Sequence, residues 1–158
     1  MQEIFDHHED QRCYLDVKGV QRTIAFASDA GSGIGSACSL IGASGLMDAA
    51  ELMADASNGV ASLLLDVILV DTVGLDPKEG KTRFQDMCAV AALNKIVKRD
   101  SLPARYRELV TAKFSPTFWA SRSVMENLEY DFKMYTVAGV HYGASSVAVT
   151  LKDLAGSS

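Results

Sequence analysis

Two adjacent imidazoles behind a carboxylate, Asp6-His7-His8, close the apolar lead-in Ile4-Phe5 and form a compact set of metal-ligand groups. In extended backbone they would point to opposite sides, so one ring could ligate a divalent metal while the other faces a different partner. Asp6 could then fix a tautomer from behind the ligand. The same pair also fits a solvated chain end. Asp71 ends the apolar run LLLDVILV, where it is either a rigid ligand at the edge of the core or the cap of a turn starting at Thr72. The glycine-rich stretch from Asp29 to Gly35, feeding Ser36, either offers backbone N–H groups to a phosphate or is a packing turn. Lys133 is either a polar guard on a strand edge or a cation for phosphate oxygens.

The elements that must position these residues alternate in type. Glu3 to Phe5 and residues 22–28 (RTIAFAS) read as strands, and the chain from Ser36 onward reads as a helix. Met47 to Ala56 looks like another helix, with Leu46, Ala49, Ala50 and Met53 on one face, broken by Asn58-Gly59. Val60 to Val70 suits a strand by its VILV end and a buried helix by its length, and length favours the helix. Residues 74–82 form a turn-rich loop before an amphipathic helix from Arg83 to Val97, with Met87, Val90, Ala91, Asn94 and Ile96 or Val97 near its buried side. After a polar break at Asp100-Ser101-Leu102-Pro103 come a basic segment from Arg105 to Lys113, a helix over Trp119 to Leu128 and two strand-like stretches, Phe132 to Val137 and Ser145 to Leu151. The organisation is α/β followed by a smaller α+β piece, with residues 1–99 and 113–158 as domains and 100–112 as linker.

The bulk properties narrow the function. A 158-residue chain with 48% hydrophobic and 22% charged residues can bury a core. The net charge of −5, with no basic run longer than Lys98-Arg99, disfavours nucleic acid. Cys13, Cys38 and Cys88 are odd in number and widely spaced, which suits a reducing compartment without a disulfide framework. The first residues are acidic and polar, and the longest apolar run is interrupted by Ser62 and Asp66. The expectation is a soluble cytoplasmic protein with no membrane partner. Asp66 would be costly if buried alone, so it needs a partner or faces the site.

In order along the chain, these pieces resemble the DHH phosphoesterase superfamily, nearest its exopolyphosphatase and Prune branch, with the type II inorganic pyrophosphatases further off. The residues that carry the resemblance are Phe5-Asp6-His7-His8, Gly35-Ser36-Ala37-Cys38-Ser39-Leu40-Ile41, Leu63 to Thr72, and Tyr130-Asp131-Phe132-Lys133 with Gly143-Ala144-Ser145-Ser146-Val147. The resemblance implies the C-terminal part of a parallel-sheet DHH catalytic domain, followed by part of a smaller α+β domain that closes over the substrate. It also implies roles: His7 and Asp71 as metal ligands, Asp6 behind them, His8 and Lys133 as catalytic and phosphate-contacting groups, and Gly35 and Ser36 at the substrate. Mn²⁺ is the implied metal, with Mg²⁺ or Co²⁺ as substitutes. Polyphosphate or pyrophosphate is the implied substrate, cleaved by a water that two metals activate.

The sequence opens at the superfamily's third motif and contains no Asp-x-Asp. The expectation is therefore a fragment with weak or no activity alone, prone to self-association through exposed edges, or a degenerate Prune-like interaction protein. A third reading comes from Ser28 to Gly35, SDAGSGIG, which resembles the nicotinamide-binding turn of short-chain dehydrogenases. It departs at Asp29, where that family places glycine, and Tyr130 precedes Lys133 with one residue too few for the Tyr-x-x-x-Lys pair.

Overall fold

A run as apolar as Val60 to Val70 can be buried almost all round, and eleven residues exceed an ordinary strand. In the computed structural model, which describes residues 2–8, 12, 15–25, 33–43 and 59–155, this run is a helix. The elements are β1 (Gln2–Asp6), β2 (Val20–Ile24), α1 (Ala37–Ala43), α2 (Val60–Asp71), a 3₁₀ turn (Pro77–Glu79), α3 (Phe84–Val97), α4 (Leu102–Lys113), α5 (Pro116–Ala120), α6 (Val124–Glu129), β3 (Phe132–Val137), β4 (Val140–Ser145) and α7 (Leu151–Ala155). The chain divides into two compact units, Met1–Tyr106 and Arg107–Ser158, so the division falls inside α4. The expected linker, 100–112, lies largely within that helix. The expected helix Met47–Ala56 and residues 26–32 lie outside the described residues.

In the first unit β1 and β2 pair in parallel, with Ile4 opposite Arg22 and Asp6 opposite Ile24. The core is where α1, α2 and α3 meet. Ala61, Leu64, Leu65 and Ile68 of α2 bury against Ala89, Val90 and Leu93 of α3, and Cys38 and Ile41 of α1 pack alongside. The buried side of α3 is therefore 86, 89, 90 and 93; the expected Met87 and Ala91 are exposed. The cause is a phase shift of one residue, set by Asp86 turning inward. Asp66, inside the apolar helix, has the partner its burial demands: Arg105 Nε and Nη2 lie 3.0 and 2.6 Å from its two oxygens. Such a two-pronged pair is the arrangement in which a buried carboxylate is tolerated.

Beyond Asp71 the chain turns sharply. Val73, Gly74 and Leu75 all take left-handed φ, of 54°, 68° and 65°. Glycine is required at 74, where a Cβ would come 2.7 Å from the Tyr106 ring.

The second unit is built differently. Its buried side chains are Trp119, Asn127 and Leu154. Strands β3 and β4 form an antiparallel hairpin through a two-residue Ala138-Gly139 turn in which both residues have positive φ, the combination that matches hairpin twist. This turn starts the return strand at Val140, so the expected strand 145–151 is replaced by β4 and then by α7. The Phe132 ring lies over Gly143, whose missing side chain leaves it room.

Candidate functional site

The parallel pairing carries β1 to its end at Asp6 and delivers His7 and His8 just past the strand. The two rings do not diverge. Their centroids are 4.3 Å apart with planes tilted 55°, because the backbone bends at His8 and ends the extended alternation. Asp6 Oδ1 accepts from the His8 backbone N–H at 3.0 Å and lies 2.8 Å from His8 Nδ1. Asp6 therefore orients His8. Burial raises the Asp6 carboxyl, but the hydrogen bonds from His8 outweigh it and hold the group below the ordinary aspartate value.

His7 is half-buried, and its Nδ1 is enclosed with no hydrogen-bond partner among the described residues. Burial and the neighbouring His8 push its pKa down, while the charges of Asp71, Asp6 and Asp86 pull it back up. The net shift keeps the imidazole neutral near neutral pH, which is the form that binds a metal. The Asp71 charge acts on His7 and also on Cys38. Burial first, and Asp71 second, raise the Cys38 thiol, so it stays protonated.

Asp71 sits at the last turn of α2, where the rigid apolar helix fixes its position. Its Oδ2 accepts from the Ser36 hydroxyl at 2.6 Å. Gly35 and Ser36 are in turn held by Asp86, which sequence reasoning missed. Asp86 is completely buried and accepts from Gly35 N–H at 2.9 Å, Ser36 N–H at 3.3 Å, Ser39 Oγ at 2.7 Å and Arg83 N–H at 2.8 Å. A Cβ at Gly35 would collide with the Lys81 carbonyl oxygen and crowd Asp86 Oδ2, so only glycine fits there. The N–H groups nominated for phosphate at 35 and 36 are thus already engaged.

His7, Asp71, Gly35 and Ser36 belong to the first unit, as do Asp6 and His8. Lys133 belongs to the second, on β3, with Nζ 3.4 Å from Asp131 Oδ1. An open cleft of about 940 Å³ in the second unit, bordered by Trp119, Val147, Val149 and Lys152, contains none of the nominated residues. Among the described residues no group of three or more His, Cys, Asp or Glu is gathered for a metal. His7 offers one neutral imidazole, and Asp71, whose charge acts on it, one carboxylate. These two donor types suit an octahedral ion that draws its other oxygens from elsewhere.

No protein-family model matches the sequence, and no curated protein matches it. A solved structure does: a proposed family II inorganic pyrophosphatase of Methanococcus jannaschii, at a TM-score of 0.55 and 18% identity. The fold is pyrophosphatase-like. The match covers 87% of this chain but 43% of the neighbour, so the chain spans less than half of that protein's length. Among the described residues no helix is long and apolar enough to cross a membrane.

Proposed function

We propose that the chain carries the His–Asp part of a metal-dependent phosphoanhydride hydrolase of the pyrophosphatase type, acting on pyrophosphate or polyphosphate. The observation that carries this reading is the enclosed, unpartnered Nδ1 of His7 within the field of Asp71, on a fold similar to a proposed pyrophosphatase. His7 and Asp71 would hold the ion, Mn²⁺ being favoured over Mg²⁺ by the imidazole and Co²⁺ suiting the same donors. When bound, a divalent ion there supplies Lewis-acid polarisation and lowers the pKa of water. Ser36 fixes one Asp71 oxygen, and Asp6 fixes the His8 ring for contact with substrate phosphate. Lys133 is assigned to neutralising phosphate charge, a role that requires it to exchange its exposed Asp131 pairing for the substrate.

Phosphate release from pyrophosphate, tripolyphosphate and long-chain polyphosphate, each with Mn²⁺, Mg²⁺ and Co²⁺, tests the proposal. Slow, metal-dependent release abolished by both His7→Ala and Asp71→Ala is the expected result. Release that survives both substitutions contradicts it. A second reading, a non-catalytic interaction protein of Prune type, is favoured by the hairpin, all twelve of whose residues are exposed.

A further inference from the structure

The candidate metal-binding carboxylate is not held by α2 alone. Asp71 is the last residue of α2, and its Oδ2 accepts from the Ser36 hydroxyl at 2.6 Å. Ser36 is fully buried, and its hydroxyl also accepts from the Cys38 N–H at 3.3 Å, which fixes the direction in which its proton can point. The Ser36 backbone is fixed in turn by Asp86, fifty residues further along the chain and at the third position of α3. Asp86 spends both oxygens on four donors, two of them the successive N–H groups of Gly35 and Ser36. An ordinary helix cap needs only the Arg83 N–H bond. A buried carboxylate that also gathers a distant loop has a positional task beyond capping. The chain of contacts runs Asp86 to the 35–36 backbone, to the Ser36 hydroxyl, to Asp71.

We infer that Asp86 is a positioning residue for Asp71, acting through Ser36, and that this relay sets the affinity for the divalent cation. The inference rests on the metal reading of His7 and Asp71 and adds to it the residues that aim the carboxylate. One oxygen of Asp71 is tied to Ser36 while the other accepts no hydrogen bond among the described residues, so the tie decides where the free oxygen points. Outer hydrogen bonds of this kind typically contribute about 10- to 100-fold to metal affinity. The closeness of the Gly35 backbone to Asp86 serves the same end, because any side chain at 35 would push the two apart.

The test uses the full chain and MnCl₂, with free Mn²⁺ followed by its electron paramagnetic resonance signal and folding by thermal unfolding. Ser36→Ala is compared with Ser39→Ala. Both remove a hydroxyl from a fully buried serine in the same segment, but only Ser36 touches Asp71. The expected result is a loss of about 10-fold in Mn²⁺ affinity for Ser36→Ala and less than about twofold for Ser39→Ala, at comparable losses of thermal stability. Asp86→Asn should lose affinity to a similar degree, and the double variant with Ser36→Ala should lose no more than either alone, since both break one relay. Equal Mn²⁺ affinity in Ser36→Ala and the unaltered chain overturns the relay, as do additive losses in the double variant. If Asp86→Asn does not fold, the serine pair decides the matter. Binding that persists in Asp71→Asn, or no binding by the unaltered chain, removes the metal reading itself and the relay with it. Failure of the relay alone leaves Asp71-dependent binding intact.

Discussion

The two units differ in their buried carboxylates and in where their apolar surface lies. In the first, each of two buried carboxylates is matched by donors: Asp86 has four, and Asp66 has the two-pronged Arg105 with Arg99 nearby at 3.6 Å. In the second, the buried polar side chain among the described residues is the neutral Asn127, which donates to the Trp119 carbonyl. Apolar groups divide more sharply. Leu65, Ile68 and Leu93 are almost wholly enclosed, whereas Phe132, Met134, Val137, Val140 and Tyr142 lie exposed on the hairpin. The difference shows which half can hold side chains at fixed positions. Precise placement of His7 and Asp71 needs the matched, closed packing of the first unit.

The strongest way to break this contrast is Asp86→Ala. It strands three backbone N–H groups and one hydroxyl in the interior, at about 1–3 kcal/mol for each unmet donor, so the first unit should lose at least about 3 kcal/mol in urea unfolding. A loss below about 1 kcal/mol would mean that the four bonds are dispensable. Hydrogen exchange sharpens the contrast next. Amides of β3 and β4 should exchange about a hundredfold or more faster than those of α2, because a two-stranded sheet with no buried face is marginal on its own. Equal protection would show that the hairpin is covered in solution, by self-association or by another partner.

A smaller effect is expected from Arg105→Met. It leaves Asp66 with Arg99 at 3.6 Å, and should cost about 2 kcal/mol once partial exposure of the arginine is discounted. The Asp66→Leu, Arg105→Met double variant should recover much of that loss. The smallest effect lies in the second unit. Ser123 backbone and side-chain hydrogen bonds hold the exposed Glu126 carboxyl below its ordinary value. A carboxyl lowered on folding stabilises the folded state above its unfolded pKa, and that contribution is lost as pH falls through the folded value. Ser123→Ala should therefore move the Glu126 titration upward, as followed by NMR, with little change in overall unfolding. An unmoved titration would show that the capping box does not form.

The helix Val60–Asp71 was legible through its length, which outweighs the strand-like VILV end, and Asp66 announced a partner by being charged inside it. The hairpin turn was harder to read: Ala138 carries no β-turn signature, and only Gly139 favours positive φ, so the return strand was expected too late. Asp86 was not legible at all. An acidic residue in the first turn of a helix is ordinary, and its partners at 35, 36 and 39 are brought to it by the packing of α1 on α3. The same holds for the facing His7 and His8 rings, since a bend at His8 overrides the alternation that extended backbone would impose. The candidate ligands were nominated by type, but the groups that aim them emerge only from tertiary contacts.

The proposed site stands on His7 and Asp71 binding a divalent cation together. Titration of the chain with Mn²⁺, read by paramagnetic broadening of the His7 imidazole resonances, tests it most directly. Broadening is expected at His7 at lower Mn²⁺ than at any exposed acidic residue, and is lost in Asp71→Asn. Broadening spread evenly over surface carboxylates and unchanged by that substitution would contradict it.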